Sequence, residues 1–118
     1  MKNKATKSSQ IKIKVGLNTS NLPVKMEWET QDQTSKSKPQ ECKAMLLSLF
    51  DKASKDTLKI DLWTTDMQIM EMDRFFFQTL RAMADTYFKA TQNKELAVEM
   101  QKFVQYFGEK TGMVSKEG

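Results

Sequence analysis

Few residues in this chain could do chemistry. No His occurs among the 118 residues, which removes imidazole general bases, His-dependent nucleophile pairs and every zinc pattern containing His. The single Cys42 has no second cysteine to pair with. A cysteine nucleophile would also lack the His that deprotonates it, so a buried reduced thiol is the expected state. Asp61, Asp66 and Asp73 bracket one junction, but their spacing matches no EF-hand loop, and capping a helix accounts for Asp66. Gly occurs only at positions 16, 108, 112 and 118, leaving no phosphate-cradling loop and no dinucleotide fingerprint. The expectation is a protein that is not an enzyme, with no catalytic set, no cofactor and no metal site.

The most unusual local composition is apolar. Met67, Met70 and Met72 run just ahead of Phe75, Phe76 and Phe77, and flexible thioethers beside aromatics can take up a partner's apolar side chain. At helical spacing Met70 and Met72 are expected to fill core gaps, whereas Met67 projects to the wet side near Trp63. Phe75 points away from the main apolar stripe, into a strip lined by Thr79, Ala82 and Thr86. Such a strip suits close approach of the last helix or of a second copy in a homodimer. Trp63, Met67 and Phe75 are therefore the candidate partner-contact residues.

These residues must be positioned by the surrounding elements. Ile11, Ile13, Val15 and Leu17 alternate with Lys12, Lys14 and Gly16, and Val24, Met26 and Trp28 alternate with Lys25, Glu27 and Glu29. Asn18 to Pro23 supplies turn chemistry between the two runs, which together read as an antiparallel hairpin with Lys12 and Lys14 opposite Glu27 and Glu29. Thr30 to Lys38 is a polar loop. Pro39 then opens a predicted helix to Phe50, with Cys42, Met45, Leu46, Leu49 and Phe50 at helical spacing.

Thr57 to Trp63 alternates again, with Leu58, Ile60 and Leu62 inward and Trp63 partly exposed; whether it runs parallel or antiparallel is open. Thr64 to Asp66 are good N-cap residues, and Thr65 with Gln68 has capping-box spacing. The long helix that follows carries Ile69, Met72, Phe76, Leu80, Met83 and Tyr87 in one stripe, flanked by Met70, Phe77, Ala84 and Phe88, which predicts a broad core face. Arg81 and Asp85 on the opposite surface have ion-pair spacing. A last helix runs from a cap near Asn93 to Phe107, with Leu96, Met100, Phe103, Val104 and Phe107 inward and Gly108 as its stop.

The predicted fold is α+β: a small three-stranded sheet, made of the N-terminal hairpin plus one later strand, packed with three helices in the order β-β-α-β-α-α. It forms a single domain at 10–108, between a disordered basic tail at 1–9 and a flexible C-terminal tail at 109–118.

The formal charge of +4 is unevenly placed, since Met1 to Lys38 holds eight Lys against three acids and the remainder holds eleven basic against twelve acidic residues. The body is nearly neutral, and Arg74 and Arg81 are the only arginines. A nucleic-acid interface needs basic residues gathered on one face with aromatic platforms, so none is expected. The N-terminal MKNKATKSSQ precedes no apolar run of signal or membrane-span length, so no membrane span and a cytoplasmic location are expected.

The stretches IKIKVGL at 11–17, PVKMEW at 23–28, KAMLLSLFD at 43–51, DTLKIDLWTTDM at 56–67 and EMDRFFFQTLRAMADTYFKAT at 71–91 together resemble GldC, the gliding-motility-associated protein of Bacteroidota. The likeness covers roughly Ile11 to Phe107. The chain departs from the family pattern at Gln68, where that pattern carries Pro, and at Phe77, where it carries His. The resemblance implies a small soluble accessory protein with partners in the gliding machinery, which is itself tied to type IX secretion, and it brings no catalytic motif. The expected function is a non-enzymatic accessory or protein-interaction factor. The alternative is a small apolar ligand- or lipid-binding module with a cavity between sheet and long helix.

Overall fold

The computed structural model of the chain describes residues 3–115. The tips of both predicted tails, 1–2 and 116–118, lie outside the described residues. The chain forms two compact units, Met1–Met67 and Gln68–Gly118.

The first unit is built of strands. β1 (Gln10–Leu17) and β2 (Pro23–Gln31) form the expected antiparallel hairpin. Its turn is closed by Asn18, whose side-chain oxygen accepts the N–H groups of Ser20 and Leu22 at 2.8 and 3.1 Å, while Asn21 takes the left-handed conformation at φ 61°, a region Asn tolerates. Lys12 lies opposite Glu29 and Lys14 opposite Glu27, as the charge alternation requires, and Lys12 Nζ stands 3.8 Å from Glu29 Oε1. On the other face Val15 pairs with Met26 and Ile13 with Trp28. Met26 is fully buried.

The helix expected from Pro39 to Phe50 does not form. That stretch is extended, as β3 (Gln40–Cys42) and β4 (Ala44–Phe50), separated only by Lys43. β3 pairs antiparallel with β2, giving a sheet of order β1-β2-β3, and β4 pairs antiparallel with β5 (Thr57–Trp63) in a second, two-stranded sheet. Among the described residues the fold therefore has two helices and five strands in two small sheets, and the expectation of three helices and a single three-stranded sheet is corrected.

The reason lies in pairing: Met45, Leu47 and Leu49 fall opposite Leu62, Ile60 and Leu58, so one face of the ribbon is apolar throughout. Cross-strand pairs of this kind override the helical preference of Met and Leu. A short apolar run such as MLLSLF cannot be told from a helix segment by period alone. The β4–β5 turn is held by Asp51, whose carboxylate accepts the N–H groups of Ser54 and Ala53 at 2.8 and 3.1 Å, with Lys55 left-handed at φ 62°.

The second unit is a helical hairpin. α1 (Ile69–Thr91) begins one turn later than the Thr64–Asp66 caps suggest, because Gln68 and Glu71 form the reciprocal capping box. α2 (Lys94–Thr111) starts at Asn93, whose side chain accepts the Leu96 N–H at 3.1 Å. Gln92, in the left-handed conformation, caps α1 so tightly that the two helices must run antiparallel side by side.

Their seam is narrower than the stripe of large residues suggests. Phe77 and Ala84 on α1, and Ala97, Val104 and Gly108 on α2, are the buried positions, seven residues apart in two cases, as knobs-into-holes contact requires. Phe76 and Met83, expected in the core, are 38% and 53% exposed, and Ile69, Met70, Phe88, Leu96 and Phe103 are exposed as well. Small residues permit close helix approach, so Ala84, Ala97 and Gly108 share the seam with Phe77 and Val104, while Phe76, Met83 and Phe103 flank it. Gly108 is not the stop: the helix continues to Thr111 and ends on Gly112 at φ 77°.

Candidate interaction surface

Trp63 and Met67 belong to the strand unit and Phe75 to the helical unit. Trp63 closes β5 opposite Ala44 and is 54% exposed. Beside it Leu22 and Pro23 come from the start of β2, and with Leu62 and Thr65 they line an apolar depression of about 240 Å³. This corner is held by main-chain bonds: the Thr65 N–H donates to the Pro23 carbonyl at 3.0 Å and the Thr64 N–H to that of Lys43 at 2.8 Å.

Thr64 is buried, and its hydroxyl donates to the Asp66 carboxylate. That bond, with the Lys43 ammonium 3.9 Å away, holds the Asp66 carboxyl below the ordinary carboxylate range. Asp66 thus pins the exit from β5. Met67 follows half-buried, its N–H donating to the Thr64 carbonyl at 3.0 Å. It is less exposed than its expected place on the wet side.

Phe75 is also half-buried, its ring edge-on to Phe76 with centroids 6.2 Å apart. It borders a groove of about 690 Å³ that also takes in Thr79, Ala82, Met83, Thr86 and Tyr87 of α1 and Met100 of α2. The strip of small residues seen in the sequence is therefore not filled by the last helix. Arg81 turns away from Asp85: its guanidinium lies 5.2 Å from the centre of the Phe77 ring, and among the described residues the Arg81–Asp85 ion pair does not form.

A further apolar surface was hidden by the mistaken helix. Leu49, Phe50, Leu58 and Ile60 are exposed on the β4–β5 ribbon, and reading residues 44–50 as a strand would have shown the first of these on one face with Leu58 and Ile60. On β1 and β2 the partners Ile13 and Trp28 are likewise exposed. Exposed cross-strand apolar pairs such as Leu49–Leu58 and Ile13–Trp28 offer surface for an interaction.

Among the described residues the candidate reactive groups are separately engaged. The Cys42 thiol is half-buried, and burial pushes its pKa up, the wrong direction for a thiolate nucleophile. Asp61 is 3.4 Å from Lys59 and Asp66 is bound as above. Among the described residues no three His, Cys, Asp or Glu side chains gather where they could hold a metal ion, and no helix is long and apolar enough to cross a membrane.

The two positions that depart from the resembled pattern have structural roles here, Gln68 as the N-cap of α1 and Phe77 as a buried ring. Comparison with known proteins gives one family: residues 23–113 match the model of the gliding motility-associated protein GldC-like family. No curated protein and no solved structure matches the chain. The matched span takes in four of the five strands and all of α1 and α2, including Trp63, Met67, Phe75 and the helical groove, and the chain belongs to the GldC-like family.

Proposed function

We infer that this chain is a non-enzymatic accessory factor that works by binding protein partners of the gliding machinery, in the cytoplasm, without a cofactor. The observation that carries this reading is the distribution of large apolar side chains: nineteen are exposed among the described residues, against five buried hydrophobic positions. Burying each such side chain contributes about 1.5–3 kcal/mol. A protein that leaves so many uncovered has apolar surface to offer a partner. Family membership supplies the biological setting, and the link to type IX secretion follows from what is expected of that family.

Capture from cells tests the reading. The chain should retain one or more components of the gliding machinery, identified by mass spectrometry. Replacing Trp63, Met67 and Phe75 together by Ser should reduce that retention while the far-ultraviolet circular dichroism spectrum is kept. Retention unchanged by the triple replacement would remove these residues from the contact, and turnover of a substrate by the purified chain would overturn the non-enzymatic reading.

A further inference from the structure

We propose that the groove on α1 is filled by α1 of a second copy, packed antiparallel about a twofold axis. At about 100° per residue, Phe75, Gln78, Ala82, Thr86 and Lys89 lie within roughly 40° of one line along the helix. One flank of that line carries Arg74, Arg81 and Asp85; the other carries Thr79, Met83 and Tyr87, beside the open groove. All of the central line except Phe75 is exposed. Arg74 and Asp85 have no ion-pair partner among the described residues.

Symmetry then decides the orientation. In a parallel pair the twofold runs along the helices and sets the charged flank of one copy against the apolar flank of the other. In an antiparallel pair the twofold is perpendicular to both helices, so like flanks meet: apolar on apolar, charged on charged. Within the charged flank one register is complementary. When Gln78 faces Ala82 of the second copy, Arg74 of each copy falls within one residue of Asp85 of the other, and Lys89 reaches the level of Glu71.

The same register drives the large Phe75 ring between Ala82 and Thr86 of the second copy, a knob entering a hole of small side chains. The occupant is a second copy because Arg74 and Asp85, the two charges of this flank without an ion-pair partner among the described residues, answer one another across the twofold, while Arg81 stays over the Phe77 ring of its own chain.

Sedimentation velocity on the full chain tests this. It should show a dimer at micromolar concentration. Arg74→Glu alone and Asp85→Arg alone each turn two attractive pairs into repulsive ones, and each should raise the dimer dissociation constant by about tenfold. The doubly substituted Arg74→Glu/Asp85→Arg chain should recover dimerisation, which a merely misfolded variant would not do. Ala82→Arg, at an exposed position, should give a folded monomer. A wild-type chain that stays monomeric, or a dimer unmoved by Ala82→Arg and not rescued by the charge swap, overturns the proposal.

Discussion

Phe77 on α1 lies so close to Gly108 on α2 that a Cβ at position 108 would fall 2.6 Å from the Phe77 Cε1 atom. Glycine is needed there for space: the helix is regular at 108, and the missing side chain lets the aromatic ring sit against the α2 backbone. Val114, folded back after the helix end, closes the same spot from the other side, its Cγ2 atom 2.9 Å from that Cβ position. The helical unit is therefore keyed by one ring in one vacancy.

Gly108→Ala should lower stability even though Ala is the better helix former. The propensity gain is about 1 kcal/mol, while forcing a methyl group into a filled site costs about 1–3 kcal/mol. A net loss of up to about 2 kcal/mol is expected from urea denaturation. Trimming the ring should relieve it, so Phe77→Leu combined with Gly108→Ala should be less damaging than the two separate losses added together, by more than about 0.5 kcal/mol. Simple additivity would mean that the ring and the glycine are not packed as described.

In the strand unit the core is concentrated on Met26, which has 0% exposure. Met26→Ala should cost about 2–5 kcal/mol. Ile11→Ala, two pairs along the same face but 74% exposed, should cost under about 0.5 kcal/mol. Equal losses at the two sites, measured by chemical denaturation, would show that Ile11 is covered in solution.

Where alternation and composition agreed, the sequence was a sufficient guide. The β1–β2 hairpin followed from strict period-two patterning, and its register followed from Lys12 and Lys14 needing Glu29 and Glu27. Residues 40–50 are ambiguous by period, since Cys42, Met45, Leu46, Leu49 and Phe50 satisfy a helical one as well as Met45, Leu47 and Leu49 satisfy an alternating one. Only the partner strand at 57–63 decides between them, and that contact is not local. The seam of the helical hairpin is not legible from apolar size, because closest approach selects Ala84, Ala97 and Gly108 and leaves Met83 and Phe103 on the flanks. Of the candidate contact residues, Trp63 was legible as the exposed end of a strand. Phe75 was legible as the residue that broke the stripe, but the groove beside it depends on where α2 lies.

The ends of α2 should respond in distinguishable ways. Asn93→Ala removes the oxygen that accepts the Leu96 N–H and should cost about 0.5–2 kcal/mol. Gly112→Ala meets no atom within 4 Å, so its cost comes from the left-handed backbone alone, about 1–2 kcal/mol. Hydrogen exchange should show the first loss over the opening turn of α2 and the second over its last turn, from 108 to 112. Loss of protection along the whole hairpin with either variant would show that the caps are coupled through the seam.

Acid should loosen the turns. The Asp51 carboxyl is held below its ordinary range, first by the Ser54 N–H, then by the Ser54 hydroxyl and the Ala53 N–H, and Asp32 is lowered in the same way by Thr34 and Ser35. A depressed folded-state pKa stabilises the fold at any pH above the unfolded value of about 3.9, and that contribution disappears as pH falls through the depressed value. Both groups are exposed, so the effect is modest and screened by salt. Asp51→Asn keeps an acceptor in the turn but cannot titrate. It should be less stable than the parent chain at neutral pH and approach it as pH drops below about 4. Denaturation midpoints measured from neutral to acid pH check this, and a gap between the two chains that stays constant across the range would show that the charge on Asp51 does not hold the β4–β5 turn.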